Sequence, residues 1–98
     1  MDNAASIAAS ALSAFTVRQS VTADNIANVS TPDFKASSVQ FQDIQGGGVT
    51  ASVQKGNDPV DISKEAANLL VNSSFFKANA ATIKTVDEMT RSLLDIKV

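Results

Sequence analysis

Between Ile62 and Leu94 a mostly apolar or small residue returns every three or four positions: Ile62, Ala66, Leu69, Ser73, Phe76, Ala80, Ile83, Asp87, Thr90 and Leu94. That step is the period of a helix lying along another helix. No proline interrupts residues 60–98. The pattern predicts one helix over about Ile62–Ile96, roughly 50 Å long at 1.5 Å per residue. Asp61 or Ser63 can cap its start, and Glu65 suits the positive end of the helix dipole. The seam drifts toward Val86, Leu93 and Ile96 near its end.

A second helix is legible at the other end, over about Asp2–Asn28, roughly 40 Å. Alanine, the best helix former, recurs at 4, 5, 8, 9, 11 and 14. Asp2 or Asn3 can cap the first turn. One strip of this helix is Ala5, Ala8, Leu12, Phe15, Gln19, Thr22 and Ile26, continuing to Val29; a second, Ile7, Ala11, Ala14 and Val21, lies beside it. Two shallow adjacent strips call for two neighbours. The stop is written in the sequence as well. Pro32 disfavours helical geometry at Thr31, and Asn28 can take the left-handed conformation that closes a helix.

The middle changes period. Val39, Phe41 and Asp43 alternate with glutamines, and Val49, Ala51 and Val53 alternate with Thr50, Ser52 and Gln54. With Gly46–Gly48 between them these runs read as a β-hairpin. Two strands alone are marginal in water, so the hairpin must lean on a helix. The expected fold class is mainly α: long N- and C-terminal helices paired as an antiparallel coiled coil, with a small β insert. Residues 1–29, 30–61 and 62–98 are its three parts, together one domain.

Composition narrows the function. Hydrophobic residues make up 44% of the 98, but much of that is alanine, with five Phe and no Trp or Tyr. A short chain so poor in aromatic mass has little with which to fill a core of its own. Cysteine and histidine are absent, which removes the thiolate ligands and the commonest general base. Asp87 and Glu88 point different ways on a helix and suit surface pairing with Arg91 or Lys84 better than acid–base work. The net charge is -2 and the basic residues are scattered, so no nucleic-acid stripe exists. Gly46–Gly48 lacks the Lys-Ser/Thr of a phosphate loop. No catalytic, cofactor or metal residue and no small-molecule substrate is expected. The uncharged stretch Asn3–Val17 is too short to span a bilayer and lacks the basic start of a cleaved signal.

Residues 23–35, Ala-Asp-Asn-Ile-Ala-Asn-Val-Ser-Thr-Pro-Asp-Phe-Lys, are the most specific stretch. They resemble the Ala-Asn-Asn-Ile-Ala-Asn-Val-Asn-Thr-Pro-Gly-Phe-Lys signature of bacterial flagellar rod and hook proteins. Asn25, Ile26, Ala27, Asn28, Thr31, Pro32, Phe34 and Lys35 carry the match. Asp24 replaces an Asn and Asp33 replaces the usual Gly, so a turn that needs positive φ is strained at Asp33. Asn68-Leu69, Phe76, Ala78-Asn79-Ala80, Ile83-Lys84-Thr85, Asp87-Glu88-Met89 and Leu93–Lys97 are similar to that family's C-terminal helix; Ser73–Phe76 departs from it.

The resemblance implies terminal helices paired as a coiled coil and stacked into the wall of a tube. The short middle is nearest the small proximal-rod subunits. It also implies a periplasmic rod location in the basal body, export by the flagellar type III apparatus without a cleaved signal, and partnership with itself and other axial proteins. The expected assembly residues are Leu12, Phe15, Ile26, Val29, Leu69, Phe76, Ile83 and Leu93. Two readings stay open at several positions. Asn25 and Asn28 either contact other subunits or finish a helix, and Pro32 and Phe34 either aim the chain or form an ordinary turn. Phe75 and Phe76 lie about 100° apart on a helix, so one is expected to meet another molecule. The alternative to a torque-transmitting rod subunit is a soluble helical-hairpin module that forms a closed oligomer or engages an export partner.

Overall fold

The Ala-rich first part of the chain forms helix α1, Asp2–Ala27. The proline-free last part forms α2, Ile62–Lys97. Between them β1, Ser37–Asp43, and β2, Val49–Lys55, pair antiparallel with Val39 opposite Val53 and Phe41 opposite Ala51. The computed structural model describes residues 2–97, with side chains for 4–96; the cap expected from Asp2 or Asn3 and the side chain of Lys97 lie outside those described.

The helix ends follow from local hydrogen bonds. Asp61 Oδ1 accepts from the Ser63 and Lys64 N–H groups at 3.1 and 3.3 Å, so Asp61 is the cap of α2. At the end of α1 the expectation for Asn28 is corrected. Among the described residues Asp33 is the only non-glycine with positive φ, at 62°. Asn28 instead closes α1 with its side chain. Its Nδ2 donates to the Asp24 carbonyl at 2.8 Å, and Thr31 Oγ1 donates to Asn28 Oδ1 at 3.1 Å. Four-residue turns from Ile26 to Val29 and from Asn28 to Thr31 finish the stop. Val29 therefore leaves the helical seam and stands 47% exposed.

The helices run antiparallel. Asn72 Nδ2 donates to Gln19 Oε1 at 2.9 Å, and Phe75 stacks on Phe15, so partners climb α2 as α1 is followed back. The face of α2 that meets α1 is rotated from the expected one. Leu69, Ile83 and Thr90 are covered as expected, but Ala66, Ser73, Ala80, Asp87 and Leu94 are exposed. Glu65, Asn72, Asn79 and Val86, one position earlier on the helix, take their place. A one-residue shift turns a helix by about 100°. This face is fixed by contacts with α1: Asn72 Nδ2 donates to Gln19 and Phe75 stacks on Phe15.

The hairpin leans on α1, using the second strip. Val39, Phe41, Val49 and Ala51 are half-buried on one face, while Val53 stays 54% exposed. Val53 shares the phase of Val49 and Ala51, but at this end the fastening to α1 is through Ser37 of β1. The loop comes close to α1: a Cβ on Gly48, whose φ is 100°, would sit 2.8 Å from Ser10 Oγ. Ser10 Oγ accepts from the Val49 N–H at 3.0 Å. A Cβ on Gly56 would meet the Ala36 carbonyl oxygen at 2.6 Å.

What remains is a thin body. Its extents are 64 × 25 × 14 Å and its radius of gyration 17.3 Å, against about 12.6 Å for a globular chain of this length. The accessible surface is 6685 Å² for 10.2 kDa, where about 5,300 Å² is usual. Among the described residues the fully buried apolar side chains are Ala8 and Ala14.

Candidate assembly surface

Asn25 is the most deeply placed residue of the motif, at 1% exposure. Its Nδ2 donates to the Ser37 carbonyl at 2.8 Å and its Oδ1 accepts from the Ser37 N–H at 3.0 Å. The side-chain amide thus pairs with the first residue of β1 as a neighbouring strand would. Around it Ile26 and Phe34 are half-buried, and Ala27, Thr31, Pro32 and Lys35 are exposed. Lys55 Nζ lies 4.2 Å from the Phe34 ring centre. The motif is a joint: it ends α1, turns the chain at Asp33 and clamps the hairpin onto the helix.

Phe15 connects all three layers. It meets Phe41 of the hairpin edge-on at 5.0 Å and stacks on Phe75 of α2 at 5.4 Å. The Arg18 guanidinium lies 3.8 Å from the centre of the Phe41 ring. Such ring contacts each contribute about 1 kcal/mol. Arg18 thus stacks on rings and has no ion pair among the described residues. The pairing at Asp87 forms, with Arg91 at 3.3 Å.

Of the residues expected at an assembly surface, Leu12, Phe15, Ile26, Leu69 and Ile83 are half-buried between elements of this chain. Val29, Phe76 and Leu93 are exposed at 47%, 41% and 50%. Phe75, though stacked on Phe15, is 51% exposed, so both adjacent rings keep an open face. The sequence reading did not single out Leu70, 75% exposed, or Met89, 53% exposed, as surface residues. Their apolar character was visible, but their phase on the helix was not. Further apolar side chains stand exposed at Val17, Ile62, Val71, Leu94 and Ile96. They run along the molecule rather than gathering at one spot, the distribution expected of side-by-side helix contacts.

Among the described residues, two hollows stand out on this surface. One, of about 630 Å³, lies between Ser37, Asp58, Asp61, Lys64, Glu65 and Arg18. Glu65 is 5% exposed and its Oε2 accepts no hydrogen bond from the described residues. The other is a groove of about 450 Å³ between Phe15 and Phe76. Among the described residues no group of three His, Cys, Asp or Glu side chains is placed to hold a metal. No described helix is long and apolar enough to cross a membrane.

The fold and surface define a class: a helical hairpin, coiled-coil in its pairing, many of whose large apolar side chains are left outside. Residues 6–35, comprising most of α1 and the joint after it, match the family described as Flagella basal body rod protein. The motif reading is thereby supported over that segment, where the chain is similar to flagellar basal body rod proteins. No curated protein matches the chain.

Proposed function

We propose that this protein is a subunit of the flagellar rod that assembles with copies of itself and other rod proteins through its two helices into a tube that carries torque. It acts as one unit of three parts, 1–29, 30–61 and 62–98, with no chemistry of its own. The observation that carries the reading is the inversion of its core: alanines are buried while Leu70, Phe75, Phe76, Leu93, Leu94 and Ile96 stay outside, on a chain whose first helix matches the rod family. A helix of that kind gains most of its stability from packing against neighbours. Assembly in the periplasmic space after export by the flagellar type III apparatus follows from the same reading.

The test is deletion of the gene followed by examination of motility and of isolated basal bodies. Loss of swimming with rods that stop short is the expected result. Normal rods and full motility in the deletion strain would sink the proposal. The alternative, a closed soluble bundle, predicts a small fixed oligomer whose mass does not change with concentration.

A further inference from the structure

The hairpin has two outer edges, and the fold closes them unequally. Both the N–H and the carbonyl of Ser37 go to Asn25, so Ser37 points away from β2. Outward and inward residues alternate along an antiparallel pair. Val39, Phe41 and Asp43 therefore point outward as well, and so do the β2 residues opposite them and Ser37: Val53, Ala51, Val49 and Lys55. The Val49 N–H agrees with that phase, since it leaves the sheet for Ser10 Oγ at 3.0 Å. The edge of β1 lies against the rest of the fold: Asn25 holds Ser37, and Ala36–Val39 line the hollow shared with Lys64 and Glu65 of α2. On β2 the outward backbone groups of Ala51, Val53 and Lys55 bond to no other element among the described residues. Open edges are usually guarded by charge, proline or a bulge. Val49–Gln54 hold neither charge nor proline, and their register is unbroken. The lysine at the end, Lys55, is drawn onto the Phe34 ring at 4.2 Å. Val53 stands 54% exposed on this edge.

We propose that β2 pairs antiparallel with β2 of a second copy of this chain, joining the two hairpins edge to edge into one sheet. The free backbone groups fix the register. Val49 is spent on Ser10, so Ala51, Val53 and Lys55 remain. All three are used when Val53 faces Val53 of the second copy and Ala51 faces its Lys55. That register opposes no like charges: Lys55 meets Ala51, and on the other face Ser52 meets Gln54. It covers each exposed Val53 with its counterpart. The centres of the two hairpins then lie two strand spacings apart, about 10 Å. The α1 helices, each packed across both strands of its own hairpin, fall at the separation of packed helices. The contact is isologous and closes at two copies. It is therefore distinct from the open-ended assembly of the rod reading and does not rest on it.

Amide hydrogen exchange on the full, unmodified chain across a concentration series tests this. The Ala51, Val53 and Lys55 amides are expected to exchange freely in dilute solution and to slow about tenfold or more as chains pair. The Val49 amide is the internal control, because its bond to Ser10 exists in the single chain. Val53→Pro removes an outward N–H and leaves the bonds to β1 in place. It is expected to keep the parent's circular dichroism and to lose the protection at Ala51 and Lys55. The absence of cysteine allows a second measurement by mild oxidation. In the proposed register two copies of Val53→Cys bring their Cα atoms to about 5.5 Å, whereas two of Thr50→Cys stay about 20 Å apart. About tenfold more cross-linked dimer is expected from the first, since a disulfide needs Cα atoms within about 7 Å. Equal cross-linking, or free exchange of the three amides at every concentration, would overturn the contact. If chains still associate in open-ended fashion with those amides open, as read by light scattering, the rod reading stands and only this contact falls. A closed dimer with the amides protected leaves this contact standing and the rod reading fallen.

Discussion

Asn25 shows how one side chain can hold two elements together. Both hydrogen bonds of its side-chain amide go to the backbone of Ser37, so Asn25→Leu strands a half-buried N–H and a half-buried carbonyl. The expected cost is about 2 kcal/mol, seen as a fall of about 10 °C in the thermal midpoint by circular dichroism. A midpoint within a degree or two of the parent would mean that the hairpin is held by other contacts. Asp33 offers the opposite experiment. Its φ of 62° suits glycine, and Asp33→Gly is expected to raise stability by about 1 kcal/mol. No gain would mean that Asp33 is unstrained or compensated in the turn. The strain at Asp33 was legible because the motif it interrupts has glycine there. The partner of Asn25 was not, because Ser37 lies twelve positions on and comes into reach only once the turn has formed.

At the scale of elements, period was legible and phase was not. The three-and-four step located α2 to within a residue at each end, yet the face it turns to α1 was misplaced by one position. Ala66 and Ala80 look like better seam residues than Glu65 and Asn79 when α2 is read alone. The choice is made by Gln19 and Phe15, residues of another helix that take Asn72 and Phe75. The two strips on α1 were legible for the converse reason: each is small or apolar along its length, and each found its neighbour, α2 or the hairpin. The rotated seam predicts that Ile83→Ala, on the covered line, costs about 1–2 kcal/mol, while Ala80→Lys, on the exposed line, changes stability by less than about 0.5 kcal/mol. Urea denaturation of the two variants decides it. A large loss from Ala80→Lys would restore the seam read from α2 alone.

For the whole molecule the governing fact is surplus surface. Some 6685 Å² is exposed where about 5,300 Å² would be usual, and much of the excess is helix side chains that a neighbouring copy can cover. This poverty of core was foreshadowed by an alanine-rich chain with five Phe. Which apolar residues face outward was not, because that depends on the register of the pair. Phe76→Ala should raise the concentration needed for assembly several-fold, by removing a ring from an interface. Asp95→Ala should change it less, because it removes no apolar surface from an interface. Equal effects would place the apolar contact elsewhere.

The central claim is that the chain completes its core between copies. The most direct test is light scattering with circular dichroism on the same samples across a concentration series. The account predicts open-ended growth in mass with concentration, accompanied by a rise in helicity toward that of the 26- and 36-residue helices. A constant small mass with full helicity at every concentration would contradict it.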